Sequence, residues 1–150
     1  MRIRSNPMPT LVRHAAVVVD PAVPSSEWRL SRDGRDAARA LDVRGSVALT
    51  SPEPKAVETA KLAGLDATID PRLREVARPW SDDYLTDVER WFAGEQPAGW
   101  ERRADALARL RGALDGFDGV AVSHGLAISL YAGLTFAEWR ALPFPAVVQC

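Results

Sequence analysis

At 150 residues, 47% of them hydrophobic, the chain has the length of one ordinary domain and enough apolar material for a sizeable core. Its formal net charge is -1, from 19 basic and 20 acidic residues, so no general field draws it to nucleic acid or to an anionic membrane; any anion has to be held by local groups. The single cysteine, Cys150, excludes an intrachain disulfide and a cysteine-rich metal site.

Arg2 and Arg4 open the chain, but Arg13 and His14 interrupt the apolar run that follows too early for a signal-peptide core. No stretch approaches membrane-spanning length. The expectation is a cytoplasmic enzyme or binding domain, one domain over residues 1–150, with no nucleic-acid or membrane partner. Thr10 to Arg13 reads as the first strand, and Ser31 as the cap of a helix running to about Leu41 with Ala37, Ala38 and Leu41 as its buried stripe. Val47 to Thr50 follows as a strand, then a helix with Pro54 in its first turn that ends near Gly64. Ala67 to Ile69 is a third strand. Between Asp82 and Gly116 two helices flank "AGEQPAG", the first carrying Trp91 and Phe92, the second Leu107, Leu110 and Leu114; the stretch is either a small cap or part of the helical layer. Val120 to Ser123, a helix from about Leu126 to Ala132, another from Phe136 to Leu142, and a last strand, Ala146 to Gln149, complete the pattern. Short apolar runs alternating with helices argue for an α/β fold with a mostly parallel sheet.

Ligands of such sheets collect beyond the carboxyl ends of the strands. Those ends carry Arg13 and His14, Ser51 with Lys55 beyond it, "DPRLRE" with Glu75, and Ser123, His124 and Gly125. A lone histidine or arginine in such a place is usually structural or solvated. Here both histidines of the chain fall at strand ends, which independent structural roles would not require.

"LVRHA" with "AVSHG" far downstream resembles the signature of the histidine phosphatase superfamily, the phosphoglycerate-mutase-like proteins, and specifically their small phosphatase branch. "WRLSRDGRDAARAL" is similar to that family's "LTxxGxxQAxxLA", "TSPEPKAVETA" to its "SSPLxRAxxTA", and "DPRLRE" to its "xxxLxE", so the likeness runs from about Thr10 to Tyr131. It implies a single-domain three-layer α/β/α sandwich with a mostly parallel central sheet and a reduced cap. It also implies a metal-independent, cofactor-free phosphomonoesterase: His14 the nucleophile that becomes phosphohistidine, Arg13 and Lys55 on the phosphate, His124 bonded to the transferring group, and Glu75 the general acid and base. The chemistry stands on its own as well. A neutral imidazole is a competent nucleophile near pH 7, and neighbouring cations favour its neutral form. Phosphoryl transfer needs positioning and charge stabilisation, which cationic and donor side chains provide, helped by backbone amides if a helix starts after Gly125. Trp80 and Tyr84 offer an apolar wall for Glu75, and Arg78 and Trp80 form a possible substrate pocket.

Three features depart from the family. Ala15 stands where glycine is usual, Lys55 replaces the second phosphate-binding arginine and lacks its planar fork, and "EVARPWSDD" breaks the pattern after the acid. Only 48 residues separate Glu75 from His124, little for the insertion with which mutases shield a phosphoenzyme, so hydrolysis is expected over mutase transfer. The substrate would be a phosphorylated small molecule or a phosphoprotein. The other reading is a catalytically weak or inactive relative that binds a phosphorylated ligand or partner.

Overall fold

The strand-forming runs pair into one sheet: β1 (Thr10–Arg13), β2 (Ala48–Thr50), β3 (Ala67–Ile69), β4 (Val120–Ser123) and β5 (Ala146–Gln149), in the order β3-β2-β4-β1-β5. The structure is a computed structural model and describes residues 7–150; Arg2 and Arg4 lie outside the described residues. β1 to β4 are mutually parallel and β5 runs antiparallel along β1. The helices are α1 (Arg32–Arg39), α2 (Pro54–Leu62), α3 (Tyr84–Phe92), α4 (Arg103–Leu114), α5 (Gly125–Ala132) and α6 (Phe136–Ala141). The expected elements are all present, with ends moved by one or two residues. β2 starts at Ala48; exposed Val47 keeps only its carbonyl in the ladder, accepting from Val120 N–H at 3.1 Å.

Alternation along the strands produces the layers. Leu11 and Ala121 face one side, against Leu110, Ala113 and Leu114 of α4 and Ala127 and Ile128 of α5. Val12, Val120 and Val122 face the other, with Ala56 and Ala60 of α2. Helices therefore cover both faces, as the buried strands require. α1 docks beside α2 through Ala38, Ala15 and Leu30; within its expected stripe Ala38 is buried, while Ala37 and Leu41 are half-buried. Ser31 starts α1 by accepting from Gly34 N–H at 3.0 Å, and Gly34 lies so close to the chain leaving β1 that an added Cβ would fall 2.1 Å from the Ala16 carbonyl oxygen. On α4, Leu110 and Leu114 are buried while Leu107 is half-buried; Ala106 takes the inner place.

The insert between β3 and β4 is small. α3 and its flanks close around Trp91, Trp100, Val88 and Val76, which pack with Trp139 of α6 and Leu126 of α5. This aromatic cluster holds α3 and α6 beside the carboxyl edge of the sheet. No helix among the described residues is long and apolar enough to cross a membrane.

Candidate active site

Four parallel strands bring their carboxyl ends to one edge, and the chain leaving them lines a cavity of about 440 Å³. Register places Arg13 opposite Ser123, and His14 N–H donates to the Ser123 carbonyl at 3.2 Å. The next residues on the two strands are therefore neighbours: the rings of His14 and His124 lie 5.2 Å apart. From β2, Ser51 N–H donates to the Val122 carbonyl at 2.9 Å, and α2 starts directly beyond. From β3, a 3-10 turn at Pro71–Leu73 leads to Glu75; Ser123 Oγ fixes it by donating to the Leu73 carbonyl at 2.7 Å. Arg13, His14, Lys55, Glu75, Arg78 and His124, all expected in the site, line this one cavity.

His14 is buried and oriented. Its Nδ1 lies 2.8 Å from the Ala15 carbonyl oxygen, and because a carbonyl only accepts, Nδ1 carries the hydrogen in the neutral ring. Nε2 is then the nitrogen with the free lone pair. Burial, reinforced by His124, Lys55 and Arg13, holds the imidazole pKa well below its ordinary 6.5, although the bond to Ala15 opposes this. The neutral, nucleophilic form prevails at neutral pH. Ala15 in place of glycine causes no strain, since no non-glycine among the described residues has positive φ. Thr59 ties this loop to α2: its Oγ1 accepts from Ala15 N–H at 3.0 Å and donates to the Lys55 carbonyl at 2.7 Å.

Arg13 lies with its guanidinium carbon 3.5 Å from the centroid of Phe144, and its Nη1 donates to the Leu142 carbonyl at 2.9 Å. Its Nε has no partner among the described residues. Burial lowers its pKa, with Glu75 opposing. Gly125 lets the start of α5 approach this group, for an added Cβ there would meet Arg13 Nη2 and Trp139 Nε1, each at 2.8 Å.

The amides at the start of α5, expected to be donors for a phosphate, are instead taken by Glu75. Leu126 N–H donates to Glu75 Oε2 at 3.1 Å, Ala127 N–H to Glu75 Oε1 at 2.8 Å, and Val76 N–H to Oε1 at 2.9 Å. A carboxylate at the positive end of a helix satisfies orphan donors and the dipole together, which is why Glu75 settles there. Arg109 braces the same loop, donating to the carbonyls of Arg72, Arg74 and Glu75 while paired at 2.8 Å with Glu101.

The corner made by β2 and α2 holds a residue that sequence reasoning passed over, Glu53. Its Oε2 is 2.9 Å from His124 Nε2 and accepts Glu75 N–H at 2.9 Å; its Oε1 is 3.5 Å from Lys55 Nζ. Ser51 Oγ also lies 2.7 Å from His124 Nε2. Since a carboxylate accepts, Nε2 is the donor towards Glu53, and buried Nδ1 of His124 is left without a partner among the described residues. Burial pushes the Glu53 carboxyl pKa up, but the bond and charge of His124, with Lys55 and the Glu75 amide, hold it down at about 2. Lys55 is likewise buried, and donates to the Ser25 carbonyl at 2.7 Å; burial lowers its pKa against the pull of Glu53 and Glu75. The signal was present in "TSPEPKAVETA", where Glu53 stands at the leucine of "SSPLxRAxxTA".

Arg78 sits at the mouth, its Nη1 donating to the Val76 carbonyl at 3.1 Å and its guanidinium carbon 5.1 Å from the centroid of Tyr84. Trp80 does not line the strand-end cavity. It belongs to an adjoining cleft of about 930 Å³, shared with Trp28, Tyr84, Glu53 and Glu75, where it is 66% exposed and donates to Asp82. Among the described residues no three His, Cys, Asp or Glu side chains are grouped to hold a metal ion.

The fold is that of the histidine phosphatase superfamily, an α/β domain of the phosphoglycerate-mutase-like kind. Similar solved structures include TTHB049 from Thermus thermophilus, 25% identical over 81% of each chain with a TM-score of 0.66. The phosphoglycerate mutase of the same organism is 25% identical over 81% of this chain and 80% of its own, with a TM-score of 0.60. The mycobacterial glucosyl-3-phosphoglycerate phosphatase Rv2419c shares the fold at 21% identity over 92% of this chain and 85% of its own, with a TM-score of 0.65. No protein-family model matches the chain, and neither does any curated protein.

Proposed function

We propose that the chain is a phosphatase that hydrolyses phosphomonoesters through a phosphohistidine on His14. A phosphatase and a mutase among the neighbours support phosphoryl transfer in general. The observation that carries the specific reading is the His14 ring: buried, neutral, with Nδ1 anchored on the Ala15 carbonyl, and so presenting Nε2 as a fixed lone pair in a cavity with Arg13 and His124. In the first step Nε2 bonds to phosphorus, the bond from phosphorus to the ester oxygen breaks, and protonated Glu75 gives its proton to the leaving alkoxide. In the second, ionised Glu75 takes a proton from water as the water oxygen attacks phosphorus, releasing phosphate and neutral His14. For either step one Glu75 oxygen has to turn from the α5 amides towards the reacting oxygen. Arg13 and Lys55 balance the charge on the equatorial oxygens, as the transition state requires.

The insert between β3 and β4 holds only α3 and α4, little with which to shield a phosphoenzyme from water, and that supports hydrolysis over transfer to a second alcohol. The contacts of Glu53 favour a second reading, a weak or inactive relative that binds a phosphorylated ligand, because they occupy His124 and Lys55. Turnover of a phosphomonoester panel in the presence of a chelator separates the two. We expect hydrolysis by the parent and a loss of at least about 10⁴-fold in His14→Ala; unchanged activity in that variant would remove His14 as nucleophile.

A further inference from the structure

We infer that Glu53, which lines the adjoining cleft and reaches this cavity through His124 and Lys55, determines its specificity: its carboxylate stands in for a phosphoryl group on those two residues, so that free phosphate is rejected and only an ester with a further foothold displaces it. The inference rests on the reading of the cavity as a phosphoryl site.

Glu53 precedes α2 at the position where a side-chain oxygen ordinarily caps the helix, yet it makes no such bond. It turns instead towards the strand ends, with its side chain only 10% exposed. There its two oxygens reach the cationic and donor groups that a phosphate would need: His124 Nε2 at 2.9 Å, Lys55 Nζ at 3.5 Å and the Glu75 amide at 2.9 Å. No apolar side chain at this position could do so, and leucine is what the motif "SSPLxRAxxTA" has there. Glu75 lines the cavity with Arg13, Lys55 and Arg78, and Glu53 adds a second carboxylate at its edge through Lys55. An incoming dianion that takes the donors of His124 and Lys55 meets the like charge of Glu53 on the same groups.

A phosphomonoester has what free phosphate lacks, an alcohol part. The cleft of about 930 Å³ that adjoins the cavity along Trp28, Arg78 and Tyr84 is wide enough to hold one, and binding there offsets the displacement of Glu53. Glu53 thereby couples occupancy of the cleft to occupancy of the phosphoryl site, and lets product phosphate leave quickly.

Titration of the parent, Glu53→Gln and Glu53→Leu with inorganic phosphate, followed by calorimetry, tests this. Glutamine keeps the shape and removes the charge, so it answers even if leucine unfolds the chain; a thermal melt reports folding of each. Both variants are expected to bind phosphate about tenfold or more tightly than the parent. A purely structural Glu53 would leave affinity unchanged or weaken it. Tight binding by the parent with equal or weaker binding by the variants would therefore overturn the inference while leaving the phosphoryl site standing. Failure of all three proteins to bind phosphate would remove the phosphoryl site itself, and the inference with it.

Discussion

On the β1 and β4 side of the cavity, Arg13, His14 and His124 stand at adjacent strand ends, the nucleophile candidate is fixed by a backbone carbonyl, and Arg13 Nε has no partner among the described residues. On the β2 and α2 side, Glu53 and Lys55 face each other, and His124 is drawn into their pair. The first side presents a fixed imidazole lone pair beside a buried guanidinium; the second has a carboxylate already on its cation. The difference teaches that, on the proposed function, one strand edge can keep the groups that would react while altering the groups that would hold. The two sides meet at two joints, Glu75, which lies against the start of α5 and through its amide against Glu53, and Thr59.

The largest break in this arrangement is expected at Glu75. Glu75→Gln keeps one carbonyl oxygen for the α5 amides but sets an NH2 against another and cannot exchange a proton, so kcat should fall by about 10² to 10⁴-fold, with a melting temperature lowered by one lost acceptor. Steady-state kinetics beside a thermal melt would check both halves of that statement.

The β1 and β4 side was the more legible in the sequence, for a physical reason. Strand ends are fixed by short apolar runs, so the locations of His14 and His124 followed from periodicity, and the α/β architecture with them. The role of the α5 amides was not legible, because Glu75 is distant in the chain from Leu126 and only the folded sheet edge makes it their acceptor. Glu53 was passed over because a glutamate before a proline-led helix reads as a solvated cap; its burial and its partner on β4 are tertiary facts. Trp80 read as a wall for Glu75 and, with Arg78, as a possible substrate pocket; the loop keeps it out of the strand-end cavity, and it lines the adjoining cleft together with Glu75, Arg78 and Tyr84.

Acid should act next, chiefly on the β2 and α2 side. The Glu53 carboxyl takes a proton near 4.5 when unfolded but only at about 2 when folded, so its stabilisation is complete above pH 4.5 and is lost as the pH falls to about 2. That loss is on the order of 3 kcal/mol. His14, kept neutral by the fold, adds to the decline below its ordinary 6.5, because the unfolded chain binds that proton first. Urea unfolding at several pH values should show stability falling from pH 6.5 downwards, with a shallower fall below pH 4.5 in Glu53→Gln. The smallest effect concerns the joint at Thr59. Thr59→Val leaves the buried Ala15 amide without its acceptor and should destabilise by about 1–3 kcal/mol, measurable by the same unfolding, with loss of activity following from a loosened His14 loop.

Formation of the phosphoenzyme tests the reactive side most directly. Protein mixed briefly with a phosphomonoester, quenched in base and digested should yield one phosphorylated peptide, labile to acid, with the phosphoryl group on His14 and absent from His14→Ala. A hydrolysing protein whose phosphoryl group sits on another residue, or that turns over ester equally well without His14, would contradict it.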